Sequence, residues 1–486
     1  MNKLIVALTL AGMLSGCAVG PDFQTPTTQT SARFARDESH PDSNAADSAA
    51  HTSPFDQTFW QSFNDPKLTK LVERALAENN DLRTALSNYD RSNALLREAK
   101  FDRYPTVTAN GQAGHQRLSK DQSFDAPFDE RNTYTFSLAS NATWELDLFG
   151  RIRRSVEAAR ADTAASEADF NALQVAIVGQ VASTYVDLRG TQERLRVARE
   201  NAENQHETLQ IVQKRLDAGR GSNFDIARSR EQYESTLARI PALEARIAVD
   251  EHRLAVLTGN QPGSLTGLDD PEPLPELPAS IDPGTPANLL RRRPDVAAAE
   301  YRLHAATARV GVATADLFPR LSIAGMIGTQ AFAASSLFSA DSQTSLIAFG
   351  VDWSFLDVGR VRARIVASRA DAAGMLARYQ QTVLLALEDT ENSLVLYART
   401  QAEDEHLKRA ASDSAEAAHL ARVRYQEGLI DLFEVLDAER QLLQAQDAFA
   451  DGRTRSASAA VSLYRALAGG WPQAKMADPP AQSAAR

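Results

Sequence analysis

Small and apolar positions in the stretch 151–218 step by three and four, and Ile152, Val156, Ala159, Thr163, Ser166, Phe170, Leu173 and Ile177 follow one helical face. The stretch holds no proline, begins after Gly150 and stops at Gly219. It predicts a single helix roughly 100 Å long at 1.5 Å per residue, which must lie against other long helices. Adding 209 to each number carries Gly150 to Gly359, Ile152 to Val361, Val156 to Ile365, Phe170 to Tyr379 and Gly219 to Gly428, so a second long helix is expected over 360–427. Upstream, adding 214 carries Asp81-Leu82 to Asp295-Val296 and Arg103-Tyr104-Pro105 to Leu317-Phe318-Pro319. The chain reads as a two-fold tandem repeat.

Within about 104–148 the period falls from 3.6 to 2. Tyr134, Phe136, Leu138, Ala142, Trp144, Leu146 and Leu148 alternate with Thr135, Ser137, Asn141, Thr143, Glu145 and Asp147, which predicts a hairpin with one oily and one wet face. The second copy repeats it over about 319–357, with Ile347, Phe349, Val351, Trp353 and Phe355 on the apolar side. Strands of this length with a Trp near one end suit lipid, and Trp144 and Trp353 are candidate membrane-interface aromatics. Two hairpins supply four strands, whereas about eight are the practical minimum for closure, and open edges in lipid leave backbone groups unsatisfied. The chain is therefore expected to oligomerise, and three copies would supply twelve strands.

The remaining helices are shorter. One starts at Asp65-Pro66, an N-cap followed by proline at N1, and is expected to run to about 103; others are expected over 223–257, 287–316 and 431–467, with Pro241 interrupting the second. Laid end to end, the two short helices of a copy approximate one long helix. Repeat 1 then occupies 59–262, a proline-rich linker 263–286 and repeat 2 287–470, with an extended leader over 17–58 and a disordered tail over 471–486. The fold class is mainly α with a small β part. Alanine-rich seams and abundant charges on the other faces, with a mean hydropathy of −0.34, fit a hollow cylinder of helices wet on both sides as well as a solid stalk. A barrel that must close in lipid favours the cylinder.

Composition narrows the function. A net charge of −11 spread evenly, without a basic patch, argues against nucleic acid. The only cysteine, Cys17, follows Lys3, an apolar run over 4–13 and Leu14-Ser15-Gly16, which resembles a bacterial lipobox. That predicts a signal peptide over 1–16, acylation at Cys17 and, with Ala18 next, sorting to the outer membrane as a lipid-anchored protein reaching into the periplasm. No catalytic constellation is expected: the eight histidines are scattered, and HExxH, a Walker loop and a cysteine nucleophile in the mature chain are all missing. Neither a metal site nor a cofactor is expected, and five methionines form no ladder for soft metals.

Specific motifs then point to a family. The residues 17–23, 60–68, Leu290-Arg291-Arg292-Arg293-Pro294-Asp295-Val296, Val310-Gly311-Val312-Ala313 through Pro319, 355–360 and 425–441 resemble the outer membrane factors, the TolC family, in its NodT-like and OprM-like lipoprotein branch. The resemblance implies a homotrimer with a twelve-stranded outer-membrane β-barrel continued by a twelve-helix periplasmic α-barrel. It also implies passive export of drugs or other small organic compounds, with a periplasmic adaptor (membrane fusion protein) and an inner-membrane pump of the RND type as partners. Alternatives are a protein-secretion or metal-efflux channel of the same fold, or a lipid-anchored periplasmic scaffold with no pore. By resemblance, Gly219, Gly221, Ser222, Gly428 and Leu429 are candidate adaptor-docking tips, and Phe433, Glu434 and Asp437 candidate parts of a periplasmic gate. Three Asp437 carboxylates about 7 Å apart would repel by roughly 2 kcal/mol per pair at an effective dielectric of 20, so closure needs compensating charge. Some family members lock the gate with an arginine near the position of Ile430. Asp225 then lacks that partner, and Arg228 is a candidate to compensate.

Overall fold

The computed structural model describes residues 18–28, 30–35, 59–123, 127–268, 270–275 and 281–468. The expected signal, the acylation site Cys17 and the tail from 471 lie outside them. The described elements run α1 (Pro66–Glu78), α2 (Asn80–Phe101), β1 (Thr106–Arg117), β2 (Asn132–Leu146), α3 (Arg151–Asp217), α4 (Asn223–Leu237), α5 (Ile240–Leu257), α6 (Pro286–Arg292), α7 (Pro294–Ala315), β3 (Arg320–Ala331), β4 (Gln343–Asp352), α8 (Val358–Gln426) and α9 (Leu432–Ala466). No described helix is long and apolar enough to cross a membrane. The long helices α3 and α8 each give their first part to one compact unit and their second part to another.

Three of the shorter helices are paired, two of them against expectation and the third at the expected proline. The helix expected from 66 to about 103 breaks at Asn79, whose ψ of 128° is extended. Its buried side chain accepts from the backbone N–H of Asp81 and Leu82 at 2.9 and 3.1 Å, capping α2, and donates to the carbonyl of Leu257 at 2.8 Å. The helix expected over 287–316 breaks at Arg293, held extended because Pro294 follows it. Between α4 and α5 the break falls just before Pro241, which cannot donate back to the preceding turn.

The first unit holds the sheet, antiparallel in the order β1-β2-β3-β4, so the two hairpins join through β2 and β3. By register, Val107, Leu138, Trp144, Ile323, Ile347 and Phe349 share one face. The two tryptophans are held alike: Trp144 Nε1 donates to the carbonyl of Arg103 at 3.0 Å and Trp353 Nε1 to that of Leu317 at 3.1 Å, the acceptors being the residues related by the 214 offset. Asp147 opens α3 by accepting from the N–H groups of Ile152 and Arg153, both at 2.9 Å.

Residues 18–27 form no helix or strand but are strapped to this unit. Val19 N–H donates to the carbonyl of Phe149 at 3.1 Å, and buried Arg154 donates to Asp22 at 2.5 Å and to Glu157 at 2.8 Å. Phe23 stacks on His304 at 4.4 Å and Thr25 Oγ1 donates to Glu300 at 2.8 Å. Gly20 has φ +97°, and a Cβ there would sit 2.4 Å from the backbone of Gly311. Gly20→Ala is expected to unseat the strap, at a cost of about 1 kcal/mol or more from φ alone. Limited proteolysis reads the outcome: cleavage within 18–27 at the wild-type rate would refute the clash.

The second unit has its own aromatic core. Phe59 stacks on Tyr464 at 4.8 Å and meets Trp60 and Phe63 edge-on, over Leu68 and Val72 of α1, Val178, Val181 and Leu188 of α3, and Leu463 of α9. Asp65 joins two elements: Oδ1 caps α1 from Lys67 and Leu68, and Oδ2 accepts from the Tyr185 hydroxyl at 2.6 Å. Burial, followed by that hydrogen bond to Asp65, pushes the Tyr185 phenol far above its usual range.

Candidate functional site: an apolar sheet face and the capped helix tips

Nine large apolar residues share the sheet face and stand open, from Trp144 at 37% exposed to Ile347 at 88%. A contiguous apolar face of this kind is stable only against another apolar medium. The opposite face is polar at Asn141 and Asn110, whose side chains pair at 2.6 Å. Among the described residues the edges β1 and β4 of the single chain have no further strand partner, a state that lipid does not tolerate.

The second part of the site is where the long helices end, and both end the same way. Gly219 at φ +70° donates to the carbonyl of Leu216 and Arg220 to that of Arg215; Gly428 at φ +76° donates to Tyr425 and Leu429 to Arg424. These are Schellman caps at positions 209 residues apart, each with glycine where the chain turns left-handed. Space around both glycines is open, so φ alone demands them. Gly221 is tighter: a Cβ there would come within 3.0 Å of the Leu216 backbone.

Asp225 does have a partner. Its carboxylate accepts from the backbone N–H and hydroxyl of Ser222 while the Ser222 hydroxyl accepts from Asp225 N–H, a capping box that starts α4. The missing arginine at 430 leaves no orphan, since Ile430 packs on the apolar cluster of Val212, Ile226, Tyr425, Leu432, Val435 and Leu436. Arg215 clamps the two tips together, its guanidinium 4.0 Å above the Tyr425 ring and donating to the Tyr425 carbonyl at 2.7 Å.

One face of α9 is buried at Leu432, Val435, Leu436 and Glu439, which turns Phe433 and Glu434 outward, with Asp437 half-exposed beside them. The expected gate residues therefore stand on the wet side. Asp437 pairs with Arg440, three residues on, a partner that the i, i+3 spacing of the sequence makes visible. Arg228 does not reach these carboxylates among its described contacts. Its guanidinium lies 5.0 Å from the Phe433 ring and 5.6 Å from that of Phe224, joining α4 to α9.

The model of the outer membrane efflux protein family matches residues 71–260 and 285–469, one match in each half of the chain. The chain is 30% identical to the probable efflux pump outer membrane protein TtgC of Pseudomonas putida, over 97% of this chain and 96% of that protein. It is 31% identical to nodulation protein T of Rhizobium leguminosarum bv. viciae, over 98% and 95%. The solved outer-membrane channel OprN superposes with a TM-score of 0.85 at 39% identity, covering 94% of this chain and all of that one. An oily sheet with open edges, joined to long helices with matching caps, is thus accounted for: the chain belongs to the outer membrane efflux protein family and is an outer-membrane channel of an efflux system.

Proposed function

We propose that three copies close this channel, their sheets forming a twelve-stranded barrel in the outer membrane and their helices a twelve-helix periplasmic tunnel. The observation that carries the reading is the exposed apolar face on a sheet whose two edges are free. Lipid covers the face and neighbouring copies pair the edges. Acylation at Cys17 adds an anchor. The strap supports this, because Val19 is bound to Phe149 where β2 hands over to α3.

The tips at Gly219, Gly221, Ser222, Gly428 and Leu429 meet a periplasmic adaptor, which links the tunnel to an inner-membrane pump of the RND type. Leu429 at 73% exposed offers it an apolar contact. Export is passive and the cargo small organic compounds, as the names of toluene, antibiotic and solvent efflux pump relatives from Pseudomonas putida suggest; a wide wet tube selects little. Phe433, Glu434 and Asp437 form the gate, and Arg440 beside each Asp437 supplies the cation that three facing carboxylates require.

Planar-bilayer recording of the purified chain, with a heat-stable trimer on gels, tests the reading. A chain that neither trimerises nor conducts is a scaffold. Asp437→Ala is expected to raise the conductance, by freeing Arg440 and removing the acidic ring; an unaltered conductance would remove Asp437 from the gate.

A further inference from the structure

The second part of α3 meets α9 in antiparallel fashion through polar pairs. Arg194 Nε donates to Asp447, Asn201 Nδ2 to Gln446 Oε1 and Thr208 Oγ1 to Glu439 Oε1, each at 2.7 Å. The α3 partners are spaced by seven, as are Gln446 and Glu439, the repeat that keeps one seam of paired helices in contact. Polar pairs in such a seam fix register, because sliding would strand each of them.

The Glu439 pair is incomplete. Glu439 is 2% exposed, yet its Oε2 has no hydrogen bond among the described residues. Arg422 of α8 faces it with Nε 3.9 Å from Oε1, beyond hydrogen-bond reach; that Nε is unpartnered and Nη1 donates to Asn204 at 2.9 Å. Gln205, a turn before Thr208 on α3, is also 2% exposed with both amide atoms unpartnered. Arg422 is the charged group that α8 presents to Glu439. From α3 come Asn204, Gln205 and Thr208, none of which titrates, and on α9 itself Asp437 and Arg440 pair with each other on the outward side.

We propose that Glu439 is a proton-operated register lock between α3 and α9. Protonated, it is a neutral partner for Thr208 and the seam is closed. Ionised, it places a charge in a dry seam with one hydrogen bond, which favours a shift that brings the Arg422 guanidinium onto it. Asp437 lies two residues away on the same helix, so that shift moves the outward face. The seam rests on the contacts above alone; its link to opening rests on reading that face as the gate. Burial is the largest influence on the Glu439 carboxyl and raises it above 4.5, with Thr208 and Arg422 opposing. A carboxyl raised in the folded seam stabilises it below the free value and loses that contribution as pH climbs through the raised one.

Hydrogen–deuterium exchange on the full chain tests the lock, each rate being divided by that of an unstructured peptide at the same pH. From pH 4.5 upward into the neutral range, protection of wild-type amides in 198–210 and 435–446 is expected to fall, by at most about tenfold per pH unit for one proton. E439Q should keep the low-pH protection throughout, and R422Q, which removes the group the shifted state gains, should lessen the wild-type loss. A wild type without pH dependence, or E439Q titrating like it, overturns the proposal. Bilayer conductance of the same preparations separates the two readings: a seam that titrates under a flat conductance supports the lock and removes only its link to the gate.

Discussion

Arg189→Ala is expected to be the most damaging single change in the second unit, lowering its unfolding free energy by about 3–5 kcal/mol. Arg189 is fully buried. Its Nη1 donates to Gln192 at 2.7 Å and to the carbonyl of Asp270 at 2.8 Å, and Nη2 donates to Glu272 at 2.9 Å. Its guanidinium also lies 5.0 Å from the Tyr185 ring. This one side chain thus ties the connection between the two halves to the middle of α3. Alanine removes the fork, opens a cavity and leaves Gln192 and the Asp270 carbonyl without it. Arg189→Lys keeps the charge but cannot reach several acceptors at once, and should lose a smaller part. Denaturant midpoints for the three proteins check this; a midpoint unmoved in the alanine variant would show that the connection is held by other contacts.

Arg228→Ala should change gating more than any carboxylate substitution. Its cation–π contacts with Phe433 and Phe224 tie α4 to α9 within one chain. At exposed sites such a contact contributes about 1 kcal/mol. Repeated in the three copies of the proposed trimer, it amounts to about 3 kcal/mol, or roughly a hundredfold in the ratio of open to closed states. Single-channel open probability reads that ratio directly. Phe433→Leu should mimic the change, since it removes the ring while keeping an apolar side chain. Equal open probability for Arg228→Ala and wild type would show that the tie does not hold the gate.

The periodicity of three and four placed a helix over 151–218, and α3 runs Arg151–Asp217 because nothing in that stretch competes with the helical backbone. Breaks were harder to see. Asn79 and Arg293 interrupt apolar patterns that continue across them, and only local chemistry betrays them: an Asn before Asn80-Asp81, and an Arg before Pro294. The pairing of β2 with β3 leaves no local mark, since it joins strands from different halves of the chain. At the tips, the glycines and acidic positions were legible because each type has few conformational or chemical uses. Asp225 lacks an arginine at 430, yet Ser222, three residues before it, already spells a capping box. The contact of Arg228 with Phe433 joins residues from different halves of the chain, and no spacing rule could have found it.

The parity of the sheet has a consequence for assembly. In a meander of four, the outermost strands run in opposite directions. A second copy, brought round by rotation alone, therefore sets its β1 antiparallel to the β4 already in place, and the ladder continues across the join with the same hydrogen-bond pattern it has inside each chain. Three or five strands per chain would force a mismatched seam at each boundary. An even count lets the ring grow until curvature, rather than chemistry, decides how many subunits it takes.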